Sequence, residues 1–181
     1  MAEVTVRTAT GPDVPVIAEL HRVTWRAAYA RLLPHGVLDA LDDPAAGRAW
    51  ADAVAGGATV LVASEGTVDV GFCVAGPAPA AEVADADGTA PPDADRTALV
   101  STLLVEPRWG RRGHGRRLLA RAAAELTRAG CTRGIAWVPA EDPASLGFYH
   151  RAGWEPDRTV RTLDAGGRPL REVRLTGPLE P

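Results

Sequence analysis

The sequence predicts an α/β fold, a single domain in which a mixed sheet of about seven strands is flanked by about four helices. Three observations carry that prediction. Short alternating or continuous apolar runs recur along the chain and read as strands. Between them lie stretches whose apolar residues repeat at helical spacing. Residues 97–138 read strand–helix–strand, which implies a parallel crossover. At 181 residues, the chain is long enough for one real core and carries no internal repeat or second domain.

The elements follow in order. EVTVRT (3–8) alternates and reads as a first strand, broken by Gly11 and Pro12. Asp13 suits a helix N-cap, with Pro15 in the first turn. Ile17, Leu20, His21, Thr24, Trp25, Ala28, Tyr29 and Leu32 then recur at helical spacing until Pro34. A second helix, roughly 36–55, carries Val37, Leu38, Leu41, Trp50 and Val54, with an interruption near Pro44 and Gly47. TVLVAS (59–64) and VDVGFCVA (68–75) form a hairpin turning at Glu65–Gly66. TALVSTLLV (97–105) is nearly all apolar, as a central strand covered on both faces must be. The helix after it places Leu118, Leu119, Ala122, Ala123 and Leu126 on one side and stops at Gly130. CTRGIAWV (131–138) is a strand, and Asp142 caps a short helix that begins with Pro143 and closes at Gly153. The tail is a hairpin turning at Ala165–Gly166–Gly167.

Residues 76–95 hold five acids and no base among Pro, Ala and Gly, and read as a mobile acidic loop too broken to pack. Cys73 and Cys131 lie in apolar runs and read as free core thiols, with no spacing that suggests a metal. No apolar run is long enough to span a bilayer and no signal peptide is evident, so a cytoplasmic protein is expected. A net charge of −3 argues against a general nucleic-acid binder. All 20 basic residues are arginine, and the chain has no Asn and no Gln.

The most pointed motif is PRWGRRGHGRRLL (107–119), which sets Arg111, Arg112, Arg116 and Arg117 around Gly113 and Gly115 directly before a helix. A dinucleotide fingerprint would need a third glycine where Leu118 stands, and a P-loop would need a lysine that the chain lacks. Two readings remain: a plain glycine turn whose arginines face water, and an anion nest. In the nest, backbone N–H groups of Arg111 to Arg116 converge at a helix N-terminus, where orphan donors and the helix dipole favour a pyrophosphate.

Here the chain resembles the GCN5-related N-acetyltransferases (GNAT). Val105-Glu106-Pro107 is similar to the strand end that precedes their acetyl-coenzyme A loop, and Gly110-Arg111-Arg112-Gly113-His114-Gly115 is similar to the loop itself. Asp142-Pro143-Ala144-Ser145-Leu146-Gly147-Phe148-Tyr149, followed by Gly153-Trp154, resembles a second signature helix of the family. Trp25-Arg26-Ala27-Ala28-Tyr29 with Leu32-Leu33-Pro34 resembles one bacterial branch. The resemblance spans essentially the whole chain. The sequence departs from the family at Gly110, where Gln or Arg is usual, and at Asp142, where Asn is frequent.

The resemblance implies an acetyl-coenzyme A-dependent N-acetyltransferase with no metal, acting on a small-molecule amine without nucleic-acid or membrane partners. A homodimer is compatible with it. It assigns main-chain contacts with the cosubstrate to Leu103, Leu104 and Val105. Its pyrophosphate loop is Gly110, Arg111, Arg112, Gly113, His114, Gly115 and Arg116, with Asp142, Ser145 and Tyr149 beside it. Tyr149 is the implied general acid toward the leaving thiolate, and Ser145, four residues earlier, is placed to orient its phenol. The positions where relatives carry a base hold Leu99 and Trp137, so no base is assigned. His21, Trp25 and Tyr29 recur every four residues, either as the wall of an acceptor pocket bounded by the 76–95 loop or as a core stripe. The alternatives are a protein N-terminal acetyltransferase and a non-catalytic acyl-coenzyme A sensor.

Overall fold

A computed structural model describes residues 3–179. Its strands are β1 (Val4–Thr8), β2 (Thr59–Glu65), β3 (Val68–Pro77), β4 (Thr97–Val105), β5 (Arg133–Pro139), β6 (Glu155–Ala165) and β7 (Arg168–Pro178). Its helices are α1 (Val14–Tyr29), α2 (His35–Asp39), α3 (Pro44–Ala55), α4 (Ala80–Val83), α5 (His114–Arg128) and α6 (Pro143–Arg151). The seven strands form one sheet in the order β1-β2-β3-β4-β5-β7-β6, with β4 and β5 parallel and the other neighbouring pairs antiparallel. Two of the six helices were not anticipated as separate elements. The expected 36–55 helix is split where Asp43 ends one segment and N-caps the next by accepting from Ala45 N, with Pro44 at the first position.

Each face of the sheet has its own core. Val60, Val62, Phe72 and Val74 pack with Ile17 and Leu20 of α1 and Trp50 of α3. Leu61, Ala63, Cys73 and Ala75 face the other way, onto Leu118, Ala122 and Leu126 of α5. This is the alternation that a strand covered on both faces requires. Trp154 lies against Gly134 of β5 and Gly177 of β7, where a Cβ would collide with its ring. Two glycines on adjacent strands thus form the floor for the largest fully buried side chain.

The break in the sheet matters most for function. The β4 register shifts at Ser101, since Val74 pairs with Thr102 while Ala75 pairs with Val100. A bulge there bends the strand. β4 and β5 pair only through Thr97, Ala98 and Leu99, and β4 then runs on to Val105 without β5 beside it. A gap opens between the two strands, and the β5-facing backbone of β4 beyond Leu99 lacks a sheet partner among the described residues.

The 76–95 segment corrects the expectation that it is too broken to pack. Gly76 and Pro77 continue β3, Ala80–Val83 forms a helical turn, and Val83 is buried. Arg161 of β6 pairs with Glu82 at 2.8 Å, and Arg174 of β7 donates to the Glu82 and Ala84 carbonyls. Arg133 of β5 holds Asp93 with two hydrogen bonds of 2.9 and 3.0 Å. The bases that neutralise these acids come from strands far along the chain.

Candidate active site

The loop between β4 and α5 is built by two left-handed residues. Arg111 has φ 64° and Gly113 has φ 85°, and Gly113 is the N-cap of α5. Only glycine adopts that conformation without strain, so Arg111 carries a local backbone cost. No backbone oxygen among the described residues accepts from the N–H groups of Arg111, Arg112, Gly113, His114, Gly115 or Arg116, and the helix ladder starts with Arg117 N to Gly113 O at 3.1 Å. Six consecutive donors at the positive end of a helix are thus left without a backbone acceptor.

The side chains around it divide by task. Arg112 lies over the Trp109 ring at 4.8 Å and reaches Glu65 Oε1 at 3.1 Å. Arg117 folds back so that its Nη1 donates to the Arg112 carbonyl at 3.1 Å. His114 is buried beneath the loop, 2.9 Å from the other oxygen of Glu65. Glu65, at the end of β2, therefore straps the loop to the sheet through two residues, a role that nothing in its local sequence signals. Arg111 and Arg116 are exposed, and Arg116 edges a groove between α5 and α6 that also involves Arg151 and Phe148. Gly115 has a packing reason for being glycine, since a Cβ there would stand 3.1 Å from Phe148.

A cavity of about 130 Å³ occupies the gap between β4 and β5. Leu103 and Leu104 of β4, Trp137 of β5 and Ser145 and Tyr149 of α6 line it, and Trp25 and Tyr29 close it from α1. His21 does not line it and packs instead between Trp25 and Trp50, with ring centroids 4.6 and 5.2 Å away. Burial pushes its pKa down to about 4, so it is neutral at physiological pH. Two residues of the anticipated stripe, Trp25 and Tyr29, thus line the pocket, and the third, His21, belongs to the core. The far wall is also not the 76–95 loop. It is β7, through Leu170 and Glu172.

Asp142 is the hub between α1 and α6. Its Oδ1 accepts from Ser145 N at 3.0 Å as an N-cap, and its Oδ2 accepts from Tyr29 Oη at 3.0 Å and Ser145 Oγ at 2.7 Å. The Ser145 hydroxyl is spent on Asp142 and does not orient Tyr149, which corrects that expectation. The Tyr149 ring is enclosed by Phe148 and Trp154 at about 5 Å between centroids. Burial raises its phenol well above the usual tyrosine range, so it is protonated at neutral pH. Cys73 is fully buried with its thiol pushed up to about 12, and Cys131 is raised by the same cause, so neither offers a thiolate. Among the described residues no group of three or more His, Cys, Asp or Glu could hold a metal, and no helix is long and apolar enough to cross a membrane.

This gapped sheet with a donor nest at one end is the architecture of an acyl-coenzyme A transferase. The profile of the Acetyltransferase (GNAT) family matches residues 17–154. YuaI, an uncharacterized N-acetyltransferase of Bacillus subtilis (strain 168), is 31% identical over 176 residues, 97% of this chain and 93% of that protein. The structure is similar to the PaiA N-acetyltransferase of Thermoplasma acidophilum in complex with coenzyme A, with a TM-score of 0.77 at 13% identity over 97% of this chain and 99% of that one. It is also similar to yncA of Salmonella typhimurium with acetyl-CoA, with a TM-score of 0.71 at 22% identity over 99% and 96%. The chain belongs to the GNAT family of N-acetyltransferases, whose cosubstrate is acetyl-coenzyme A.

Proposed function

We propose that the protein acetylates the primary amine of a small molecule, such as an amino acid, an amine metabolite or an amine-bearing antibiotic, by direct attack in a ternary complex. The observation that carries this reading is the continuity of the site. Six free N–H donors lie at the head of α5, and the gap between β4 and β5 leads to a compact cavity walled by aromatic rings.

The residues present fit acetyl-coenzyme A. The nest from Arg111 to Arg116 suits its pyrophosphate, and Gly110 costs little because backbone groups do the gripping. Of Leu103, Leu104 and Val105, Leu104 turns its main-chain groups to β3, while Leu103 and Val105 turn theirs to the open side of β4, where they suit the pantetheine and the acetyl carbonyl as an oxyanion site requires. The cosubstrate supplies an activated acyl group with a thiolate leaving group. Tyr149 holds a proton at its phenol oxygen for that sulfur, and the burial that keeps it protonated also desolvates the thiolate it serves. Asp142 and Ser145 act by fixing α6 to α1 around the cavity. Trp25 and Tyr29 bound the acceptor and keep water out. We place the protein in the cytoplasm, where its two buried thiols stay reduced.

The test is a thiol-release assay with acetyl-coenzyme A across small amines and short peptides with free N-termini. Release that depends on a small amine, with the acetylated amine found as product, supports the reading. Acetylation of peptides alone would convert it to N-terminal acetyl transfer. Binding of acetyl-coenzyme A without amine-dependent release would make the protein a sensor.

A further inference from the structure

The cavity holds a carboxylate that the family signatures do not supply. Among the described residues that line it, Glu172 is the one carboxylate, placed by β7 between Pro139 of β5 and Arg161 of β6 in the sheet register. Its side chain is 12% exposed. Oε2 accepts from Arg161 Nε at 2.6 Å, while no described residue donates to Oε1. A carboxylate oxygen with no donor on a cavity wall suits a ligand group that donates hydrogen bonds.

Charge gives the ligand its sign. Arg161 is shared between Glu172 and Glu82, and Arg174 pairs with Asp157, so three carboxylates meet two guanidiniums. Tyr29 from α1 and Tyr149 from α6 face this cluster as neutral phenols, and Asp142 is spent on hydrogen bonds from Tyr29 and Ser145. Hydrogen bonds from neutral hydroxyls do not cancel the charge of a carboxylate, so with Asp142 the carboxylates outnumber the guanidiniums here and the site favours a cationic acceptor. The rest of the acceptor side is apolar, with Trp25, Leu32, Leu33 and Leu170.

We propose that Glu172 receives the ammonium of the acceptor and removes its proton, and that the acceptor is a compact amine on an apolar body. This deepens the acetyl-transfer reading and rests on it. An alkylammonium with a pKa near 10 is neutral in only about one molecule in a thousand at pH 7, so a site without a base would wait on that fraction. Glu172 takes one proton from the ammonium, and the nitrogen lone pair attacks the thioester carbonyl carbon. The C–N bond forms as the carbonyl electron pair moves to oxygen. Its return breaks the C–S bond, and sulfur leaves with the bonding pair. The second nitrogen proton passes to solvent as one proton is delivered to sulfur. The products are the amide and the thiol, and Glu172 returns its proton to water.

The experiment measures acetylation of 2-phenylethylamine, benzylamine and hexylamine from pH 6 to pH 10 by the wild type, Glu172→Gln and Glu172→Asp, with coenzyme A affinity read by calorimetry. Glu172→Gln keeps an oxygen for Arg161, and its kcat/KM at pH 7 falls about 10²-fold. The deficit shrinks as pH approaches 10 because free amine then replaces the lost base. Glu172→Asp retains the wild-type profile at reduced rate, and coenzyme A affinity stays within threefold in both variants. A Gln variant within threefold of wild type with a parallel pH profile overturns the role of Glu172. Failure of the wild type to use any of the three monoamines while it binds coenzyme A overturns the acceptor class. Failure to bind coenzyme A at all would instead sink the acetyl-transfer reading.

Discussion

At the scale of single residues, backbone conformation decides more than side-chain charge. Gly113 must hold φ 85° to point its neighbours' N–H groups at one place. An alanine there costs about 1–2 kcal/mol, which the loop relieves by leaving the nest conformation. Gly113→Ala is therefore expected to weaken coenzyme A binding by about tenfold in calorimetry. Arg111→Gly removes the strain at φ 64° and keeps the donor, so its affinity stays within about threefold. A larger loss in the Arg111 variant than in the Gly113 variant would move the grip from backbone to guanidinium. Tyr149 is tested by its hydroxyl alone. Tyr149→Phe preserves the packing with Phe148 and Trp154 and lowers kcat by about 10²–10⁴-fold, with acetyl-coenzyme A affinity almost unchanged. A kcat within twofold of wild type, with chemistry limiting turnover, would return Tyr149 to the core.

At the scale of elements, the strap from β2 to the loop is the contact with the clearest kinetic signature. Glu65 meets His114 at 2.9 Å and Arg112 at 3.1 Å, and it touches no residue assigned to the chemistry. Glu65→Gln keeps one acceptor and loses the charge, so the loop is held less firmly. The expected result is a KM for acetyl-coenzyme A raised by about five- to tenfold with kcat within twofold, because loop order contributes to binding and not to bond making. A kcat loss without a KM change would contradict this division. The elements themselves were legible in the sequence because their signals are local. Periodicity marks β2, β3, β4 and α5, and Asp142 with Pro143 marks the start of α6. The split of the 36–55 helix at Asp43 and the turn of Ser145 to Asp142 are local misreadings, and the others involve partners distant in sequence. Glu82 and Asp93 of the 76–95 segment read as solvated because their partners Arg161 and Arg133 come from β6 and β5, whereas Asp85, Asp87 and Asp95 are exposed as read. Glu172 was invisible for the same reason: Glu172 and Arg174 sit two apart on β7, where charges at that spacing read as a face turned to water. Only the placement of β7 between β5 and β6 turns that face toward the cavity.

At the scale of the whole molecule, one topological fact organises the site. The parallel pair β4–β5 is zipped over three residues and then parts, with a bulge at Ser101 on the side toward β3. Helix α5 starts beside that opening and α6 follows β5, so one gap in the sheet brings together the nest, the unpaired β4 backbone and Tyr149. Helix α1 and strand β7 wall the opposite end, and the acceptor and the cosubstrate would meet from two sides of one sheet. Both signature motifs map to the side proposed for the cosubstrate, whereas the wall proposed for the acceptor is assembled from α1, Leu32–Leu33 and β7. That side was therefore the harder one to read. The most direct measurement is a crystal structure of the protein with coenzyme A. The account predicts pyrophosphate oxygens within hydrogen-bond distance of backbone N–H groups between Arg111 and Arg116, and the thiol in the gap between β4 and β5 near the Tyr149 hydroxyl. A pyrophosphate held only by arginine side chains, or a thiol outside that gap, would contradict it.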